Sequence, residues 1–187
     1  MYPEAKDSLE IVERKLGSIR PDPGYAHDAY VMAAIDEAIQ AVKEGNFGVG
    51  AVIVNPKGEI VQRGHNRVFA PYFRSDLHAE MDALTCFEER FRDLASMADY
   101  TLVTSLEPCP MCLTRLITSR IGKVFYAAED RDSGMVTRLQ SLSPVWVKLA
   151  AQQVFDQAHC APVLRELAQE VVLTTANRNT EKLLKRG

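Results

Sequence analysis

The sequence predicts an α/β fold, a mixed β-sheet with helices packed on it, from three observations. Short β-branched runs and helix-spaced apolar stripes follow one another in the order β-β-α-β-α-β. The first two runs are joined by Asn55-Pro56-Lys57-Gly58, a turn that makes them a hairpin. A fifth run follows the fourth after about 25 residues that carry a helical pattern, a separation that allows a parallel crossover. The 187 residues are 47% hydrophobic and 25% charged, enough apolar matter for the core of one ordinary domain with terminal additions.

Taken in order, Glu4 to Leu16 places Leu9, Val12 and Leu16 at helical spacing on a polar background. Arg20-Pro21-Asp22-Pro23-Gly24 then breaks any helix, so residues 1–24 read as an N-terminal extension and 25–187 as a single domain. Asp28 to Glu44 is an alanine-rich helix with Val31, Ile35, Ile39 and Val42 at helical intervals, stopped by Gly45-Asn46. Strands at Val49–Val54 and Ile60–Asn66 flank the turn. A loop from Val68 to Leu77 holds Pro71 with Phe69, Tyr72 and Phe73. His78 to Phe91 reads as a helix with Met81, Leu84 and Phe87 on its apolar side. Tyr100–Thr104 is a strand, Pro110–Ser119 a helix with Leu113, Leu116 and Ile117 toward the core, and Lys123–Ala127 a strand. Beyond Asp130 the pattern is fainter: a short helix at Pro144–Ala150, a strand at Gln152–Asp156, and one long helix from Pro162 to about Leu184.

Lys plus Arg number 22 and Asp plus Glu 25, for a net charge of −3. That balance argues against a broad coat on nucleic acid, though not against a local basic groove. No apolar run approaches the ~20 residues that span a bilayer, so no membrane partner is expected. The charged N-terminus MYPEAKDSLEIVERKLGSI lacks the apolar stretch of a signal peptide. The expected compartment is the cytoplasm, where Cys86, Cys109, Cys112 and Cys160 stay reduced. In that setting a close C-x-x-C pair points to metal or redox chemistry.

Chemistry concentrates in His78-Ala79-Glu80 and Pro108-Cys109-Pro110-Met111-Cys112. Zinc(II) favours thiolate and imidazole in tetrahedral geometry, and three protein ligands leave a fourth position for water, as in a catalytic site. Cys109 and Cys112, three apart at a helix start, turn their sulfurs to one side, and His78 supplies the third ligand. Glu80 follows His78 by two positions, which in mid-helix would turn the two side chains about 200° apart. They converge only if His78 sits at the helix start, and Ser75 and Asp76 are capping residues just upstream. Pro110 likewise suits a first helical turn. Both halves of the site then sit at helix N-termini, whose dipoles favour thiolates. Two thiolates neutralise a dication and weaken its Lewis acidity, so a carboxylate beside the water becomes useful as proton acceptor; Glu80 is the candidate.

The pattern H-x-E…P-C-x-x-C is the signature of zinc nucleobase deaminases. The chain resembles the cytidine/deoxycytidylate deaminase superfamily over roughly Asp28 to Gly134. Val49-Gly50-Ala51-Val52-Ile53-Val54, Gly64-His65-Asn66, Leu77-His78-Ala79-Glu80 and Ser119-Arg120-Ile121-Gly122-Lys123-Val124 look like family stretches in family order. Within the superfamily the chain resembles the branch of bacterial tRNA adenosine deaminases and guanine deaminases, and Thr101–Gly134 is particularly similar to the former. The resemblance implies a three-layer α/β/α fold with a five-stranded mixed sheet, its fifth strand parallel, and a homodimer or larger assembly. It implies Zn2+ as cofactor and hydrolytic deamination of a nucleobase or nucleoside, purine favoured, with release of ammonia. On this carry-over Glu80 is catalytic, His78, Cys109 and Cys112 hold the metal, and Asn66, Phe47 and Ala79 bind substrate.

Two other functions stay open: a tRNA adenosine deaminase acting on the anticodon loop, and a non-catalytic zinc-stabilised domain. The chain departs from the tRNA enzymes in being acidic, although Arg178, Lys182, Lys185 and Arg186 lie near its end, and in its Leu139–Ala151 insert with Trp146. It departs from the guanine deaminases in reading Gly45-Asn46-Phe47-Gly48 where they carry Gly-Pro-Phe-Gly. For their acidic stretch it offers only Glu129, Asp130 and Asp132. Plainer readings stand beside these. Asn66 can simply end a strand, Phe47 can pack a turn, Glu107 reads as a strand-end residue, and the C-terminal basic cluster as a solvated helix end. His27, His65 and His159 have no evident partners, and Cys86 and Cys160 read as small buried apolar groups. A closed pocket lidded by the C-terminal helix or the Trp146 insert would mark a small substrate.

Overall fold

A computed structural model describes residues 5–186; Glu4, the expected start of the first helix, and Gly187 lie outside the described residues. The elements are α1 (Ala5–Ser18), α2 (Asp28–Lys43), β1 (Gly50–Val54), β2 (Ile60–His65), α3 (Ala79–Arg90), β3 (Thr101–Leu106), α4 (Pro110–Ser119) and β4 (Lys123–Ala128). A 3-10 turn at Leu139–Ser141 follows, then α5 (Pro144–Ala150), β5 (Val154–Gln157), α6 (Pro162–Leu173) and α7 (Ala176–Leu184).

The five strands form one sheet in the order β2-β1-β3-β4-β5. β1 pairs antiparallel with β2 and β3, while β3, β4 and β5 run parallel. The crossover expected before the fifth strand is therefore present. β1 reads Gly-Ala-Val-Ile-Val and is buried throughout, as a central strand covered on both faces must be. Val52 and Val54 face one layer, with Val31, Ile35 and Ile39 of α2 and Leu164, Leu167 and Val171 of α6. Ala51 and Ile53 face the other, with Ala83, Leu84 and Phe87 of α3 and Leu116 of α4. This alternation is the period-two geometry of a strand, and it makes the fold a three-layer α/β/α sandwich. Gly64 lets α3 lie directly on β2, since a Cβ there would sit 2.5 Å from the Ala83 amide nitrogen. No helix among the described residues is long and apolar enough to cross a membrane.

Some expectations need correction. The single long helix from Pro162 is two helices, broken at Thr174-Thr175. The two threonine hydroxyls turn back to the Val171 and Val172 carbonyls, and Thr175 Oγ1 also accepts the Gly48 N–H at 3.1 Å. Side-chain bonding of this kind competes with the helical ladder. Met81 is only half-buried; the packed face of α3 is Ala79, Ala83, Leu84 and Phe87. Cys86 is half-buried too, whereas Cys160 is fully buried. Val12 and Leu16 of α1, in the N-terminal extension, join the core cluster formed by α2 and α6.

Candidate active site

Two helix starts bring the chemistry-bearing residues together. His78 is the N-cap of α3, with extended backbone at φ −70°, ψ 165°. Cys109 is the N-cap of α4, at φ −70°, ψ 172°, and Pro110 opens that helix. The extended backbone at His78 removes the mid-helix divergence, so His78 and Glu80 line one cavity. Cys109 Sγ and Cys112 Sγ each lie 3.6 Å from His78 Nδ1, and one ligand atom from each residue falls within 4.8 Å of the others. In a tetrahedral zinc site with ordinary bond lengths, the sulfur-to-nitrogen edge is also about 3.6 Å. The donor set and its spacing thus fit three vertices of a tetrahedral zinc ion. Among the described residues no fourth His, Cys, Asp or Glu joins the group; Cys86 and Cys160 remain outside it.

The electrostatics suit a cation at that point. The hydrogen bond from Cys112 is the main reason the Cys109 thiol is held down, at about 4, with the His78 ring assisting. Cys112 is pushed up, first by its bond to Cys109 and then by burial. One proton is thereby left between two sulfurs, which a dication displaces. Glu80 is 3% exposed. Burial, then the adjacent Cys109, push its carboxyl up to about 7. A cation at the cluster acts in the opposite direction, and the two influences set the carboxylate between proton donor and acceptor.

The cavity, of about 510 Å3, lies beyond the C-terminal ends of β3 and β4, where ligand sites of open α/β sheets gather. Phe47, Val49, Asn66, His78, Glu80, Glu107 and Cys109 form its inner wall; Asp130, Asp132 and Ser133 form one flank. Gln169, Val172, Leu173, Ala176, Thr180 and Leu183 of α6 and α7 form the other. Asn66 is buried, and its Oδ1 accepts the Val68 N–H at 3.2 Å. That bond assigns the amide orientation and leaves the Nδ2 donor for the cavity. Phe47 is half-buried, with its ring 5.7 Å from that of Phe69, which in turn lies 6.1 Å from Phe73. Ala79 is completely buried under Gly64 in the α3–β2 contact and does not line the cavity. Lys182 sits over the Phe69 ring and Arg186 over Phe73, so this basic pair is docked rather than merely solvated. Of the two lids expected, α7 walls the cavity; Trp146 instead packs with Met135, Val136 and Leu142 against Leu113 and Ile117.

Sequence reasoning anticipated the C-terminal helix as a lid but missed its break into α6 and α7 and the part played by Glu107. It also missed the partners of His65, which bridges Glu37 at 3.0 Å and Glu44 at 3.1 Å. His27 is engaged as well, accepting the His159 N–H at 2.9 Å. The usable signal is the seven-residue spacing of Glu37 and Glu44, which stacks them two turns apart on α2 and its C-cap.

A three-layer α/β/α sheet with a His-Cys-Cys cluster and a buried carboxylate at two helix N-termini defines a class: α/β proteins built around a cation-ready cavity. Comparison with known proteins makes this specific. Residues 25–128 match the family described as the cytidine and deoxycytidylate deaminase zinc-binding region, and the chain belongs to that family. It is 37% identical over 117 residues to a tRNA-specific adenosine deaminase of Bacillus subtilis, covering 62% of this chain and 70% of that one. It is 36% identical over 110 residues to a guanine deaminase of the same organism, covering 57% and 67%. Against a tRNA(Ile)-lysidine synthase of Deinococcus radiodurans the match spans only 19% of that protein. A solved structure from a study of tRNA:A34 deaminases superposes with a TM-score of 0.64 at 25% identity, covering 76% of this chain and 98% of that one.

Proposed function

We propose that this protein is a zinc-dependent hydrolase that deaminates a free nucleobase or nucleoside, a purine by preference, and releases ammonia. His78, Cys109 and Cys112 hold the metal. When bound there, zinc supplies the acidity that makes water a nucleophile at neutral pH. Glu80 does the proton work: its carboxylate takes one proton of the attacking water and gives it to a ring nitrogen, then takes the proton of the new C–OH and delivers it to the departing amine as the C–N bond breaks. The balance is one water consumed and one C–NH2 converted to C=O plus ammonia. Asn66 offers its Nδ2 donor to an acceptor on the base, and Phe47 offers a ring face. Ala79 is fully buried beneath Gly64, so its side chain sets α3 against β2, and the substrate contact proposed for it falls to its backbone.

One observation carries the choice of a small, uncharged substrate. Among the described residues no lysine or arginine lines the cavity; its acidic lining groups are Glu80, Glu107, Asp130 and Asp132, and α7 closes one side. The adjoining depression adds Glu129, Glu166 and Glu170 against Arg131 and Arg165. Such a field disfavours phosphates, and with them nucleotides and RNA.

A tRNA substrate is the second reading, supported by the tRNA-acting relatives and by Arg178, Lys182, Lys185 and Arg186 at the α7 end. The same proposal takes residues 25–187 as one deaminase domain, the assembly as a homodimer and the compartment as the cytoplasm. The test is ammonia release from a panel of purine and pyrimidine bases, nucleosides and anticodon stem-loops, with zinc measured in the same sample. Turnover of a base or nucleoside is the expected result. Turnover of stem-loops alone, with salt-sensitive binding, replaces it by the second reading. Bound zinc with no reaction on any of them points to a non-catalytic zinc-stabilised domain.

A further inference from the structure

Glu107 is 2% exposed, yet no Lys, Arg or His among the described residues pairs with it. Its charge is held instead by donors from one loop. Oε1 accepts the Thr137 N–H at 2.8 Å and the Thr137 hydroxyl at 2.9 Å; Oε2 accepts the Asp130 N–H at 3.2 Å. Backbone bonds reinforce the contact: Glu107 N–H donates to the Ala128 carbonyl at 2.8 Å and Met135 N–H to the Pro108 carbonyl at 2.9 Å. Gly134 has no side chain because a Cβ there would collide with the Glu107 carboxylate. The loop is knit on its other side by Arg138, whose Nε donates to the Gly134 carbonyl at 2.8 Å. Asp130 caps the Asp132 and Ser133 amides, at 3.1 and 3.0 Å, and accepts the Ser133 hydroxyl.

The loop so bound carries Asp130, Asp132 and Ser133, the flank of the cavity opposite α6 and α7. Glu107 directly follows β3 and leads through Pro108 into Cys109. One carboxylate thus ties the wall that a substrate would meet to the turn that presents a thiol. We infer that Glu107 is a positioning residue for substrate: it sets the distance between the 130–137 wall and the His78-Cys109-Cys112 cluster. The substrate part of this inference rests on the function proposed above; the loop part does not. A buried carboxylate that accepts three hydrogen bonds cannot be replaced by a carboxamide without turning an NH2 toward one of the donors.

The experiment compares wild type, Glu107→Gln and Thr137→Val as full-length zinc-loaded protein. Hydrogen exchange of peptides across 129–137, emission of Trp146, zinc stoichiometry, kcat and KM are read. For Glu107→Gln the expected result is exchange faster by about tenfold or more in that loop and KM raised by about tenfold, with kcat within about threefold and zinc retained. Thr137→Val removes only the hydroxyl, so the same pattern follows at smaller size; it decides the matter if Glu107→Gln fails to fold. Unchanged loop exchange overturns the inference. So does a faster-exchanging loop with KM unmoved, or a fall in kcat together with zinc loss at constant KM, which would make Glu107 a support of the metal turn. If wild type turns over no purine, the substrate reading fails while the exchange comparison still decides whether Glu107 sets the loop.

Discussion

Replacing Glu80 with glutamine preserves shape and removes the proton carrier. The size of the loss follows from what else the cavity offers. Glu107 is saturated by three donors and Asp130 by two amides and a hydroxyl, while Asp132 is exposed to solvent. None is free to take over. Positioned general acid–base groups contribute about 10²–10⁴-fold, and with no substitute the upper part of that range applies: a fall in kcat of about 10³–10⁴, or about 4–5.5 kcal/mol on the barrier. Stability should move the other way. In the metal-free protein the Glu80 carboxyl is raised from 4.5 to about 7 by burial, so its ionised form disfavours the folded state above that range, and a neutral amide removes the cost; the melt is therefore read on metal-free protein. The assay is steady-state ammonia release with zinc quantified in the same preparation, alongside a thermal melt. A variant that keeps full zinc and loses less than about tenfold in kcat would refute the assignment of proton transfer to this carboxylate.

Other outcomes follow from other parts of the molecule. Phe87 is 1% exposed and packs on Phe91 and Tyr100, so Phe87→Ala should lower unfolding free energy by about 3–5 kcal/mol in urea titrations. His65 is raised above 6.5, chiefly by its hydrogen bond to Glu37 and also by Glu44, against the opposing effect of burial. Its contribution to stability is complete below pH 6.5 and fades as pH rises through the folded value; melts across that window should decline for wild type relative to His65→Gln, and parallel curves would count against it. Lys182→Ala with Arg186→Ala removes two cation–π contacts of about 0.5–1 kcal/mol each, and limited proteolysis should then cut sooner at the α6–α7 junction. Chelation of the metal should lower Tm, because ligands drawn from α3 and α4 are then joined only by the fold.

The parts of this molecule that were legible in sequence are those decided locally. Pro110 marks the start of α4 through its fixed φ, and His78 does stand at the start of α3, although Ser75 and Asp76 do not cap it, Asp76 accepting from Arg74 instead. The Gly-Ala-Val-Ile-Val strand and the helical stripes of α2 and α4 follow from their own periodicity. What escaped depends on partners far along the chain. The α6–α7 break needs Gly48 beside Thr175, and the role of Glu107 needs Asp130 and Thr137 folded back on it. At Ala79 the motif suggested contact with substrate, and the fold adds a second demand that the motif did not show, packing under Gly64.

The row of rings from Phe47 through Phe69 to Phe73, held by Lys182 and Arg186, joins the cavity wall to the tip of α7. Ala176, Thr180 and Leu183 of that helix face the same cavity. Occupancy of the cavity and docking of the last helix are therefore linked equilibria, and linkage is reciprocal. Whatever factor an occupant adds to the docking constant, a change that docks the helix more firmly adds to the affinity of the occupant. Substitutions on α7 that never touch an occupant are then expected to change its affinity.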